Sequence, residues 1–404
     1  MSGHVLIVNV PVTGHVLPTL PVTAELVRRG CRVSYVTAAP FADQVRATGA
    51  EVLTYPSLDP GGRLRDASPA ESVTVFLEEN IRIIQAVEDR LGGLRPEERV
   101  DLVAYDGQTF QAGRVLAAKW GLPAVQLNPV FASNEHYSFM QEMAEGAGAG
   151  GASPEEMAEY GRRNAELLAE HRVALPVLDF LTRVEDFHVV FVPRALQPKE
   201  ETFDERFAFV GPCLDGRGFL GEWRRPAGDR PVALISQGTT YNDNTGFFRA
   251  CLEAFEGLDW HLVISVGPGA DPAALGPLPP HVEVHQWVPH LAVLEHASVF
   301  VSQGGMGSLT EALYQGCPMV VVPHSPSYLP SARRVAELGI GEVVRPEEVD
   351  AARLRTAVLA LTGDEGVLRR VADLRRQTRE AGGAVRAADE ITAYLRRART
   401  TAPR

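Results

Sequence analysis

"VSQGGMGSLTEALYQGCPMVVVPHSPSYLPSA", Val301 to Ala332, decides the fold. It reads as a short strand, a glycine cluster, a helix, a buried strand and a loop. The apolar runs on either side have the length of buried strands, and the middle has helical spacing. Strands joined by crossover helices build a parallel sheet covered on both faces. The stretch holds no Lys or Arg. An anion at its glycine cluster must therefore be held by backbone amides at the start of the helix, where the dipole is positive. The cluster is equally compatible with a packing turn.

The same alternation extends in both directions. Upstream lie the strands "VALISQG", "WHLVISVG" and "VEVHQWV" with the helical "TGFFRACLEAFEGL" and "HLAVLEHA". The first half repeats the pattern with "HVLIVNVPV", "CRVSYVTA", "VDLVAYD" and "PAVQLNP" as strands. Between the halves, "DGRGFLGEWRRPAGDRP" is rich in Gly, Arg and Pro, as an exposed linker is. The expected class is α/β, with two tandem Rossmann-like doubly wound domains facing across a central cleft. The expected boundaries are 1–212, a linker at 213–230, and 231–404 including the C-terminal helices. A glycine run followed by a helix capped by Ser153, with Pro154 at its first position, marks Glu145–Glu159 as a mobile excursion. Ligands bind at the carboxyl ends of such strands, so the chemistry belongs in the loops that follow them.

Composition narrows the function. The 404 residues are 45% hydrophobic and 22% charged, and 404 residues suit two domains rather than one. The net charge of -12 is spread along the chain and argues against a nucleic-acid partner. No run reads as a membrane span, and "MSGHVLIVNV" lacks the layout of a secretory signal. Cys31, Cys213, Cys251 and Cys317 fit no metal or redox spacing, which suits a reducing cytoplasm.

His15 stands in the loop after the first strand, and Asp106 ends the strand "VDLVAYD". Two strands of one sheet can bring these ends together, and a carboxylate on Nδ1 would leave the other imidazole nitrogen to act as a base. The alternatives are a structural histidine and an aspartate that merely caps the next helix. In the second half Gly238 and Thr239 follow a strand, and Trp287 follows another where its indole suits either a nucleobase or a core. Gly305, Met306, Gly307 and Ser308 open a helix. No Walker lysine follows the glycines, and no acidic pair suggests a donor-site metal.

Taken together, "GHVLPTLPVTAELVRRG", "DLVAYDGQTFQAGRVLAAKWGLPAVQL", "NEHYS" and "HQWVPHLAVLEHASVFVSQGGMGSLTEALYQGCPMVVVP" closely resemble the two-Rossmann (GT-B) glycosyltransferases of the macrolide and antibiotic type, which include the calicheamicin sugar transferases. The resemblance covers nearly the whole chain. It implies inverting, metal-independent transfer from a nucleotide diphosphate sugar to a hydroxyl of a hydrophobic natural product. By the same resemblance His15 is the base and Asp106 its partner. Trp287 stacks on the nucleobase, with the Val288 backbone beside it, and Glu311 holds the ribose. Gly305, Met306, Gly307 and Ser308 cradle the diphosphate, while Gly238 and Thr239 approach it from the other side.

Three positions depart from the commoner pattern. Gln303 stands where the family usually has His, and Ser327 and Tyr328 stand where glucose users have an acidic residue and Gln. A site without that carboxylate suits a deoxysugar, with thymidine diphosphate favoured over uridine diphosphate and no further cofactor. Acceptor contacts are expected from Phe131, His136, Tyr137, Phe139 and Met140, each also compatible with ordinary packing. The partners are then a nucleotide sugar and a small-molecule acceptor, with no nucleic acid and no membrane, and with a homodimer left open. The alternatives are a sugar-nucleotide 2-epimerase and a non-catalytic activator of another transferase.

Overall fold

A computed structural model describes residues 3–59, 69–95, 98–146, 153–216, 220–238, 244–267 and 270–401. Thr239, residues 147–152 of the expected excursion and residues 217–219 of the expected linker lie outside the described residues. The chain divides into two compact units. The first holds Met1–Ser138, Gly148–Asp215 and Ala381–Arg404, and the second Phe139–Ala147 and Gly216–Glu380.

Among the described residues, the first unit carries β1 (His4–Val8), β2 (Arg32–Thr37), β3 (Glu51–Thr54), β4 (Leu102–Asp106), β5 (Ala124–Asn128), β6 (His188–Val190) and β7 (Phe207–Phe209). They form one sheet in the order β3-β2-β1-β4-β5-β6-β7, with every pair parallel. β1 and β4 are buried along their whole length, as an inner parallel strand must be, and this is why they read as unbroken apolar runs. The strand order reverses direction between β1 and β4, so the loops after these two strands diverge and leave a crevice.

The second unit carries β8 (Val232–Ser236), β9 (His261–Ser265), β10 (Val282–His285), β11 (Ala297–Ser302), β12 (Met319–Val321) and β13 (Gly341–Val343). Their order is β10-β9-β8-β11-β12-β13, again all parallel. Here the reversal lies between β8 and β11. The Val301–Ala332 stretch thus runs from β11 through the Met306–Gln315 helix to β12 and on into the Leu329–Leu338 helix.

Two boundaries differ from those expected. The Gly383–Thr401 helix belongs to the first unit, where it packs on the Thr13–Arg28 helix. Ala387, Ala388, Ile391 and Leu395 complete that unit's core, and Arg29 donates to Asp389 at 2.6 Å. The apolar stripe of this helix finds its complement on a helix formed more than 350 residues earlier. Conversely, the Phe139–Gly146 helix follows a first-unit strand in sequence but belongs to the second unit, packed on the Leu329–Leu338 helix with Arg333 donating to Glu142 at 2.8 Å. The expected cap holds: Ser153 Oγ accepts from the Glu156 amide at 3.2 Å, and the Glu156 carboxylate accepts from the Ser153 amide at 2.6 Å. No described helix is long and apolar enough to cross a membrane. All four cysteines are buried and none forms a disulfide, and burial raises the Cys251 and Cys317 thiols well above their usual range.

Candidate active site

In the first unit the reversal between β1 and β4 brings His15 and Asp106 together. Val12 is extended and the helix begins at Thr13, so His15 stands in its first turn with its amide bonded to the Val12 carbonyl at 2.9 Å. Pro18 and Pro21 lie inside this helix and leave the carbonyls of Gly14 and Leu17 without their usual amide partners. Asn9 anchors the turn from below, its amide donating to the His15 carbonyl at 3.0 Å and to the Tyr35 hydroxyl at 2.8 Å.

His15 Nδ1 lies 2.8 Å from Asp106 Oδ2. The aspartate side chain is 1% exposed and the imidazole 14%. A carboxylate only accepts, so Nδ1 carries the proton and the Nε2 lone pair is left free. Asp106 Oδ1 meanwhile accepts from the Gln108 amide at 2.8 Å. Cap and histidine partner, set against each other as alternatives by the sequence, are both true, one for each oxygen.

In the second unit Trp287 follows β10 and is 40% exposed, while Val288 beside it is buried. Between Trp287 and Glu311 lies His290, a residue that the sequence did not single out. Its ring is nearly parallel to the indole, with centroids 6.1 Å apart and 9° between planes. Its Nδ1 is 3.7 Å from Glu311 Oε2. Burial lowers its pKa, partly opposed by the Glu311 charge, so the imidazole is neutral near pH 7. His290 thus lies close to both expected donor residues.

After β11, Gly304 has φ +86°, and a side chain there would meet Val321 Cγ1 at 2.7 Å, so glycine is required on both counts. Gly305 precedes the Met306–Gln315 helix without a capping side chain. Gly307 is exposed, Ser308 is half-buried, and Met306 is buried. The Tyr328 ring stands over the cluster, its Cε1 3.7 Å from where a Gly305 Cβ would lie. Ser327 Oγ shares a hydrogen bond with Ser325 Oγ at 3.0 Å. Gly238 has φ +71° and a side chain there would meet the Gln303 amide nitrogen at 2.3 Å, so the turns after β8 and β11 touch.

The expected acceptor residues separate. Phe131 and Tyr137 are only 2% and 8% exposed. Asn134 fixes the loop around them, accepting from the amides of His136 and Tyr137 at 2.9 and 2.8 Å. His136 is exposed. Half-buried Phe139 and Met140, 66% exposed, sit on the helix of the second unit, beside the Pro326–Tyr328 turn.

Comparison with known proteins shows the family. Residues 249–384 match the family described as Erythromycin biosynthesis protein CIII-like, C-terminal domain. The chain is 38% identical to NDP-glycosyltransferase YjiC of Bacillus licheniformis, over 97% of this chain and 98% of that protein. The chain belongs to the antibiotic-type glycosyltransferases. It is also 36% identical to demethyllactenocin mycarosyltransferase of Streptomyces fradiae, over 97% of this chain and 87% of that one. The solved structure of CalG4, the calicheamicin glycosyltransferase, matches with a TM-score of 0.89 and 43% identity over the whole of both chains. The GT-B fold and the glycosyltransferase class follow, and neither the epimerase nor the activator alternative is retained.

Proposed function

We propose that this glycosyltransferase moves a deoxysugar from thymidine diphosphate to a hydroxyl of a hydrophobic natural product, with inversion and with His15 as base. The observation that carries the proposal is the 2.8 Å contact between His15 Nδ1 and the buried Asp106 carboxylate, which leaves Nε2 free to take a proton. In this scheme the acceptor hydroxyl loses its proton to Nε2 as its oxygen attacks the anomeric carbon. The bond from that carbon to the diphosphate breaks on the opposite face, so a single displacement inverts the centre. Asp106 stabilises the imidazolium that forms.

The leaving diphosphate gains charge, and the amides of Gly305 to Ser308 at the helix start, with the Ser308 hydroxyl, are suited to stabilise it without a cationic side chain. Gly238 would flank it from the turn after β8, and Thr239, next in sequence, is assigned to the same contact. Trp287 would stack on the base beside the Val288 backbone, and Glu311 would accept from the ribose hydroxyls. Phe131, His136, Tyr137, Phe139 and Met140 would serve the aglycone, His136 and Met140 being the exposed members of the set. Ser327 and Tyr328 offer no carboxylate to a vicinal diol, which supports a deoxygenated sugar, and Gln303 is a neutral amide where the family usually has His. Four buried, unbridged thiols support action in the cytoplasm.

Donor competition tests the proposal: UDP-glucose and a TDP-deoxyhexose are supplied together with an acceptor and the products resolved by mass. The deoxyhexosyl product is expected to dominate. Clear preference for UDP-glucose would overturn the donor assignment.

A further inference from the structure

The turns after β8 and β11 are copies of one another. The strands are neighbours with Ser236 opposite Ser302, and each runs on into Gln and Gly. In each, the serine hydroxyl accepts from the glycine amide, at 3.1 Å to Gly238 and 3.2 Å to Gly304. Both glycines adopt positive φ, +71° and +86°. The duplication sets Gln237 and Gln303 at equivalent places on the carboxyl edge, at the point where the strand order reverses.

Gln237 is 1% exposed and Gln303 5%, yet the amide oxygen of each has no hydrogen-bond partner. Buried acceptors are rarely left so, and two at matched positions mark a place that a donor from outside the chain completes. Where the amide of Gln303 lies is fixed by its neighbours. A side chain on Gly238 or Gly305 would come within 2.3 or 3.5 Å of its nitrogen, so it spans from the β8 turn to the start of the Met306–Gln315 helix.

We infer that Gln237 and Gln303 form a paired acceptor site for the hexose of the donor, receiving hydrogen bonds from its hydroxyl or amino groups. The inference rests on the proposed nucleotide-sugar reading and deepens it. An ionised diphosphate has only acceptors and cannot satisfy an amide oxygen. The pyranose attached to it carries the O–H or N–H groups that can. Two separate neutral acceptors suit a ring that has lost one hydroxyl of a vicinal pair, because neither demands the diol that a carboxylate grips. An amide also places no negative charge beside the diphosphate, where a glutamate would repel it.

Calorimetric titration of the full chain with thymidine diphosphate, TDP-glucose and a TDP-deoxyhexose provides the test. The proteins are the wild type, Gln237→Leu, Gln303→Leu and the length-preserving Gln237→Met and Gln303→Met, with circular-dichroism melts to establish folding. Thymidine diphosphate affinity should stay within about two-fold in every folded variant, while affinity for at least one TDP-sugar falls about ten-fold. If thymidine diphosphate weakens as much as the sugars, the glutamines hold the diphosphate and the inference fails. Unchanged affinity for all three ligands makes them structural and overturns it equally. A wild type that binds none of the ligands would remove the nucleotide-sugar reading itself, an outcome distinct from both.

Discussion

Asp106 gives one oxygen to His15 and the other to the Gln108 amide, so its two duties are separable by chemistry. Asparagine is as good a helix cap as aspartate, but it cannot select the histidine tautomer or stabilise an imidazolium. Asp106→Asn should therefore lower kcat by about 10²–10⁴-fold while the melting temperature stays close to wild type, measured by turnover and thermal melts. A large loss of stability with near-normal turnover would make Asp106 a structural cap alone. The pair itself was legible, since both residues stand at ends of apolar runs and parallel strands align such ends. Burial at Phe131 and Tyr137 was not legible, because an aromatic side chain in a loop suits packing and an open surface equally, whereas the tie between this loop and Gln197, whose amide bonds the Ala132 N–H and carbonyl, joins residues distant in sequence. Gln237 was legible in principle: Ser-Gln-Gly ends both "VALISQG" and "VFVSQG", and the repetition carried the signal.

At the level of elements, the strands and helices followed from hydrophobic period, whereas partner choice did not. The pattern of "AVRAADEITAYLRRA" shows that the last helix has an apolar face, but not that this face meets the Thr13–Arg28 helix. The packing has a direct consequence. Ile391→Ala and Leu395→Ala each remove a buried side chain from the core of the first unit and should cost about 2–5 kcal/mol there. Hydrogen exchange should show faster opening of β1 and β2, with β8 and β11 unchanged. Loss of protection in the second unit instead would place the helix with the wrong partner. The Phe139–Gly146 helix gives the same lesson in the opposite sense. Its sequence continues a first-unit loop, but Arg333 and the Leu329–Leu338 helix claim it for the second.

Over the whole molecule, two sheets that share one six-strand order, extended by β7 in the first, each put their chemically useful loops at the reversal of that order. The first offers a histidine with a buried carboxylate behind it. The second offers glycine turns, a helix start and an indole with His290 and Glu311 nearby. Removing the base from one unit should leave the nucleotide residues of the other untouched, because the two sets share no side chain. The decisive measurement is sugar transfer and thymidine diphosphate binding by His15→Ala, side by side with wild type. Transfer should fall at least about 10³-fold while the dissociation constant for thymidine diphosphate stays within about two-fold. A variant that still turns over near the wild-type rate would contradict the assignment of His15 as the base.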